Sequence, residues 1–354
     1  MDNSAYKSSN SLEEVPLAER LATAEALLHK CTLCEHRCGV DRTIQECGTC
    51  RLGRTTRIYK RYTSMNEEPE LLPALRLFVG GCNLRCVFCD EAPRAFQSDL
   101  GEVVHPAELA QELATIVNHG ARSISLLGGE PSLHLHTILA LAAAVDKPLP
   151  LALNSNMFMT PETLALLSGV VRWYLADLKF GNDSCAREIA GVADYSEIVR
   201  RNILHAAGQT EVIVRHVLLP GHLECCFRPL INWLSRTLPG IRFQLYPGFV
   251  PCGSAAKHPT LARLNTHDDV AAAQALLRSS NLRWGVPWKT NSRRRATWHP
   301  DGTTVADITI GADGRLYCHD LTHRLVPVLA ALCPDNPLLA ERAAAAGESL
   351  QEQS

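Results

Sequence analysis

Apolar positions along the middle of this chain follow two alternating periods. Short apolar runs bounded by Gly, Pro, Asn or Asp read as buried strands over residues 75–79, 123–127, 149–153, 172–178, 212–219 and 242–246. Between them, apolar residues recur at helical spacing over 106–118, 136–145, 161–167, 197–207 and 228–238. Strand–helix alternation of this kind argues for α/β architecture, a parallel sheet with helices packed outside it. Six such units fit an open, partial (β/α)6 barrel.

The flanks break this rhythm. Residues 1–10 read as disordered. Residues 12–30 predict a helix, with Leu17, Leu21, Ala24, Leu27 and Leu28 on one face and Ser11 as its cap. The charged stretch 51–73 reads as an irregular connection. Beyond the barrel the pattern predicts a helix over 266–278 and a hairpin over 305–319 turning at Ala312-Asp313-Gly314. A last helix is expected over 336–345. Trp284, Trp288, Trp298 and Arg293-Arg294-Arg295 lie between, as a lid over the barrel or a small satellite packing unit. The chain thus divides into 1–74 (helix and Cys-rich segment), 75–250 (barrel) and 251–354 (C-terminal extension).

Composition narrows the class. Of 354 residues, 46% are hydrophobic and 20% charged, an ordinary globular balance. A formal net charge of -2 supplies no basic field for nucleic acid or an anionic membrane. The first residues lack an apolar signal core, and the apolar stretch 138–153 is broken by Asp146, Lys147 and Pro148. A cytoplasmic location is expected. There the 14 cysteines read as metal ligands or free thiols rather than a disulfide framework.

Three cysteines, Cys82, Cys86 and Cys89, fall on the loop leaving the first barrel strand, after Gly80-Gly81, with Phe88 just before the last of them. An iron–sulfur cube has four irons, each needing one ligand beyond its sulfides, and Cys thiolate is the usual one. Three ligands from one loop leave one iron open to a small molecule. A zinc site or three unrelated thiols are the plainer alternatives. The second strand is followed by Gly128-Gly129-Glu130-Pro131, either a turn or a place where backbone approaches a ligand closely. The third ends in Asn154-Ser155-Asn156, the fourth in Asp177-Leu178-Lys179, and the fifth carries Arg215-His216. Strand ends of β/α barrels converge on one face, so these residues form a candidate site. Arg215 suits a carboxylate, which its guanidinium can grip in bidentate fashion. Gln244 and Tyr246 read as barrel lining.

The spacing of Cys82, Cys86 and Cys89, with Phe88, resembles the cluster loop of the radical S-adenosylmethionine (SAM) enzymes. The resemblance implies a [4Fe-4S] cluster on these thiolates and SAM chelated at its open iron. It also implies electron transfer that cleaves SAM to methionine and a 5′-deoxyadenosyl radical, which abstracts a substrate hydrogen. Gly128, Gly129 and Glu130 would bind the SAM amino group. Phe88, Asn154 and Asn156 would border the cofactor, with Asp177, Lys179, Arg215 and His216 near the reaction centre. Two further stretches resemble pyruvate formate-lyase-activating-enzyme-like proteins. They are Cys31-Thr-Leu-Cys34 with Cys38-Gly-Val-Asp-Arg42 and Gly48-Thr-Cys50, and Leu219-Pro220-Gly221-His222-Leu223-Glu224-Cys225. Asp90-Glu91-Ala92, where that subgroup has Gln-Asn-Tyr, and the long extension after Pro251 depart from it.

The resemblance carries one expectation: an activase that makes a glycyl radical on a partner enzyme, served by an electron donor such as a flavodoxin or ferredoxin. A radical SAM enzyme acting on a small metabolite or peptide is the second reading, and a non-enzymatic metal-binding scaffold the third. Cys31, Cys34, Cys38 and Cys50 have spacing suited to zinc or a second iron–sulfur cluster, with His36 able to replace one ligand. Most of the scattered Cys185, Cys225, Cys226, Cys252, Cys318 and Cys333 read as small buried hydrophobes.

Overall fold

A computed structural model describes residues 15–44, 48–64, 67–284, 308–310, 316–318 and 330–331. Its helices are α1 (Leu17–Ala26), α2 (Pro106–Asn118), α3 (Leu135–Ala143), α4 (Pro161–Leu166), α5 (Asp183–Ala190), α6 (Tyr195–Ala207), α7 (Arg228–Thr237) and α8 (His267–Arg278). Its strands are β1 (Arg57–Ser64), β2 (Ala74–Val79), β3 (Glu102–Val103), β4 (Ser123–Gly128), β5 (Leu151–Ser155), β6 (Val171–Asp177), β7 (Glu211–Val217), β8 (Arg242–Tyr246), β9 (Arg283–Trp284), β10 (Ile308–Ile310) and β11 (Leu316–Cys318).

The six expected strands β2, β4, β5, β6, β7 and β8 pair in parallel in that order. They form the wall of a partly open barrel. The outward residues of each strand, such as Leu77, Leu126, Leu153, Ala176 and Val214, join the helices in one continuous core. β10 and β11 form the expected hairpin as a separate sheet. The last expected helix, 336–345, and Trp288, Trp298 and Arg293–Arg295 lie outside the described residues.

Three findings differ from the sequence expectations. Residues 57–64 are a strand, β1, antiparallel to β2 and capped at the edge by β3. A boundary at residue 74 therefore cuts through a continuous sheet. The charges that disguise this strand are accounted for by pairing: Lys60 reaches Glu91 and lies 4.5 Å over the Phe78 ring, and Arg61 pairs with Glu112. Second, residues 183–190 form α5, a short helix that is readable from its ends. Asn182 caps it by accepting the Cys185 N–H at 2.8 Å, and Gly191 ends it with φ +71°. Third, the supposedly irregular connection enters the barrel. The turn Pro69–Leu71 places a fully buried Leu71 against Ala152, Trp173, Leu175 and Ile213 on the inner face. Glu70 beside it pairs with Arg242 of β8.

The N-terminal helix is locked on from outside. Arg20 of α1 is buried, and its guanidinium donates to the Leu166 and Ser168 carbonyls at 3.0 and 2.7 Å at the end of α4.

Candidate active site

The cysteine loop begins where two glycine pairs cross. The Gly129 N–H donates to the Val79 carbonyl at 2.7 Å and the Glu130 N–H to the Gly81 carbonyl at 2.8 Å. A Cβ on Gly129 would stand 2.0 Å from the Gly81 oxygen, and one on Gly128, at φ +105°, 2.9 Å from the Val79 oxygen. The glycines of the second strand end are thus required by backbone-to-backbone contact with the first.

Glu130 is engaged within the protein. Its side chain is buried and its carboxylate is used inside the protein. Oε1 accepts from the Ser132 N–H at 3.1 Å and the Ser155 hydroxyl at 2.8 Å, and Oε2 accepts from the Asn156 N–H at 2.8 Å. Burial raises its pKa, and these hydrogen bonds work against that rise. Glu130 therefore braces the ends of β4 and β5 against each other. Asn156 is internal as well. Its Nδ2 donates to Asn83 Oδ1 at 2.8 Å and stands 3.9 Å from Cys82 Sγ, and its Oδ1 accepts from the Phe158 N–H. Asn154 differs: its Oδ1 is buried with no hydrogen-bond partner among the described residues.

Cys82, Cys86 and Cys89 are partly buried. Burial pushes the Cys89 thiol up to about 12 and raises those of Cys82 and Cys86, with Lys179 drawing Cys86 back. Bound metal would displace such protons outright. All three thiols come from one loop of eight residues. Their donor type and number fit a multi-iron cluster, which holds each thiolate at a different iron. The loop is held by α5, whose Ala190 and Ile189 carbonyls accept the Arg85 and Val87 N–H groups, both at 2.9 Å.

Phe88, Asp177, Lys179, Arg215 and Val217 line one pocket beside this loop. The Phe88 ring is held edge-on between Phe180 and Phe249, with centroids 6.3 and 6.1 Å away. Lys179 Nζ donates to Asp177 Oδ2 at 2.7 Å. Burial opposes the Lys179 charge, but Asp177 and Cys86 more than offset it, so its pKa is raised. Tyr195 fixes this strand end, its hydroxyl accepting the Lys179 N–H at 2.8 Å and donating to the Asp177 carbonyl at 3.3 Å.

Arg215 reaches this pocket already engaged. Its Nε donates to Glu68 Oε1 at 3.0 Å, and its Nη2 contacts both Glu68 and Glu67. Glu67 also meets Arg76 at 3.2 Å. Burial works against the Glu68 charge, yet the Arg215 guanidinium holds its carboxyl below the usual range. The expectation that Arg215 offers itself to a ligand carboxylate is therefore corrected: two glutamates from the connection satisfy it. His216 is also corrected. It points to the opposite face of β7, donates from Nδ1 to the Leu178 carbonyl at 2.7 Å, and packs 5.3 Å from the Phe227 ring. Burial lowers its pKa to about 4, so it is a neutral core residue. Gln244 and Tyr246 lie on the inner face, where Tyr246 is 40% exposed because the barrel is open.

The N-terminal cysteines pack behind the cysteine loop. Cys31, Cys34 and Cys50 are buried in the main core and Cys38 is exposed. His36 Nε2 donates to the Asn83 carbonyl at 2.7 Å, so it is committed to the loop. Sequence reasoning missed Glu67 and Glu68, which carry no local signal. It also missed that Cys185, Cys225 and Cys226 converge on His222. The helical spacing of His222, Cys225 and Cys226 was the readable part of that group.

Cysteine loop, glycine crossing and barrel face together define a known class. A sequence model of the radical SAM superfamily matches residues 77–234, and the chain belongs to that superfamily. It is therefore an enzyme of the kind that uses SAM and an iron–sulfur cluster. An uncharacterized protein of Methanocaldococcus jannaschii is 33% identical over 282 residues, covering 77% of this chain and 82% of that protein. The 7-carboxy-7-deazaguanine synthase of Methanothermobacter thermautotrophicus is 29% identical over 112 residues, 31% of this chain and 45% of the synthase. Among solved structures, Streptococcus suis SuiB bound to its precursor peptide SuiA is similar with a TM-score of 0.43 and 16% identity. That match covers 57% of this chain and 46% of SuiB. No helix among the described residues is long and apolar enough to cross a membrane.

Proposed function

We propose that Cys82, Cys86 and Cys89 hold a [4Fe-4S] cluster and that the open barrel face beside them receives SAM and the substrate hydrogen donor. The observation that carries this reading is the position of the loop: it opens onto the pocket of Phe88, Asp177, Lys179, Arg215 and Val217. When bound, the cluster and SAM supply one-electron cleavage of the sulfonium and a 5′-deoxyadenosyl radical for hydrogen abstraction. The chain's own share is positioning. Phe88, clamped by two rings, forms an apolar wall that excludes water. Asn154 Oδ1 offers an unused acceptor to a hydroxyl or ammonium of the cofactor. Lys179 and Asp177, held by Tyr195, present a fixed ion pair to a polar substrate group.

Two substrate readings follow. A glycyl radical enzyme as partner, with a flavodoxin or ferredoxin as electron donor, is supported by the motif resemblance. A small metabolite or peptide is favoured by the pocket, whose charged groups Lys179 and Asp177 suit a polar molecule, and it accords with the partial similarity to a deazaguanine synthase. Cys31, Cys34, Cys38 and Cys50 form a second thiolate neighbourhood. Three of them are buried and Cys38 is exposed, and their thiolates suit either zinc or a second iron–sulfur cluster.

The test is anaerobic reconstitution followed by an assay for 5′-deoxyadenosine. Replacing Cys82, Cys86 and Cys89 together with Ala should abolish its formation. Undiminished SAM cleavage in that variant overturns the proposal. Deuterium transfer into 5′-deoxyadenosine from labelled candidates then separates the two substrate readings.

A further inference from the structure

Four potential ligands converge away from the cysteine loop. Cys185 sits in the first turn of α5, and His222, Cys225 and Cys226 follow β7. Their ligand atoms all lie within 4.8 Å of one another, the only such group of three or more among the described residues. His222 Nδ1 is 3.5 Å from Cys185 Sγ, 3.3 Å from Cys225 Sγ and 3.8 Å from Cys226 Sγ, and the Cys185 and Cys225 sulfurs are 3.8 Å apart. Ligands bound about 2.0–2.3 Å from one tetrahedral zinc stand about 3.4–3.8 Å from each other. These four edges match that tetrahedron.

Local structure explains how adjacent cysteines share one site. His222, Cys225 and Cys226 stand at i, i+3 and i+4, one helical face. The turn is widened to a π-helix over Leu223–Phe227, with the Phe227 N–H reaching the His222 carbonyl at 3.0 Å. Such turns recur at functional sites. The surrounding groups also suit bound thiolates. Asn182 Nδ2 is 3.3 Å from Cys185 Sγ and 3.7 Å from Cys226 Sγ. His222 Nε2 lies 3.3 Å from Thr260 Oγ1, which would orient the ring with Nδ1 free to ligate. Cys185, Cys226 and His222 are buried and Cys225 is exposed, leaving one edge of the site open to an entering ion.

We propose that Cys185, His222, Cys225 and Cys226 bind one zinc ion as a closed structural site. Three segments around the cysteine loop meet there. α5 carries Cys185 at its start and accepts the Arg85 and Val87 N–H groups at its end. The segment containing Thr260 also donates the Ser254 N–H to the Val87 carbonyl at 2.9 Å. The zinc thereby staples both supports of the loop to the β7–α7 connection, and four ligands leave no open position for chemistry.

Metal analysis of the full chain, purified anaerobically, tests this independently of SAM cleavage. About one zinc per chain is expected at this site, retained when Cys82, Cys86 and Cys89 are replaced. In competition with a chromophoric chelator, His222→Ala and Cys225→Ala should weaken zinc binding by more than about 100-fold, and Thr260→Val by about 10-fold. Cys225 is exposed, so Cys225→Ala keeps the test valid if His222→Ala misfolds. Unchanged zinc content and affinity in Cys225→Ala and Cys226→Ala overturns the proposal. So does a Cys185–Cys225 disulfide in the anaerobic protein, or iron with sulfide on these ligands.

Discussion

The Asn156 N–H donates to Glu130 Oε2 at 2.8 Å, joining the loop after β5 to the loop after β4. Because Ser132 and Ser155 donate to Oε1 as well, this carboxylate braces the two loops through internal contacts. Glu130→Gln would turn one acceptor into a donor facing a donor. The expected loss is about 1–3 kcal/mol of stability without any SAM present. Urea unfolding of the SAM-free protein checks it. An unchanged midpoint combined with weakened SAM binding would return Glu130 to the role of cofactor ligand.

Arg215 and Glu68 make a second internal pair, buried between β7 and the turn that enters the barrel. Arg215→Met leaves Glu67 and Glu68 without this partner and should cost about 3–5 kcal/mol. Combining it with Glu68→Gln should recover part of that loss. Thermal melts of the single and double variants decide the matter, and no recovery would mean that the two residues do not act as a pair.

Asn154 carries a buried oxygen with no partner among the described residues. Asn154→Ala should leave the SAM-free protein about as stable as before. It should weaken SAM binding about 2- to 10-fold, the worth of one hydrogen bond. Thermal melts of the SAM-free protein check the first arm and isothermal titration of reconstituted protein the second, and equal affinities would place Asn154 outside the cofactor site.

Burial lowers the pKa values of His134 to about 3 and of His136 and His216 to about 4. All three are neutral when folded, and each would take up a proton near pH 6.5 when unfolded. A depressed folded value means stability is fully present above the unfolded pKa and is lost as pH falls toward the folded one. Each contributes on the order of 3–5 kcal/mol across that window, His134 the most. Stability should therefore drop from pH 6.5 down to about 3, and His134, which bridges Thr56 and the Gly80 carbonyl at 2.8 and 2.9 Å, should lead the loss near the cysteine loop. Denaturant titrations across this range check it. A flat profile would show that the histidines are charged or exposed in the folded state.

The class of fold was legible in the sequence because its signals are local. Strand and helix periods repeat within single elements, so the six parallel strands emerged nearly at their observed bounds. The three cysteines, their aromatic and the glycine pairs sit on two short loops, and their spacing carried the family resemblance that pointed to the chemistry. Signals of this sort survive without knowledge of what folds against them.

Tertiary structure decided what each polar group faces. β1 looked irregular because its Lys and Arg residues find their partners, Glu91 and Glu112, only when the sheet is assembled. Arg215 and Glu68 are 147 residues apart, and no local pattern relates them. The same holds for Cys185 and His222, brought to 3.5 Å by the closure of β6 onto β7. Side-chain period told that Arg215 and His216 point to opposite faces of β7, but which face was the barrel interior depended on the neighbours of that strand. A charged residue's role follows from whether its counter-charge is supplied by the protein or left to a ligand, and contacts across the whole chain settle that.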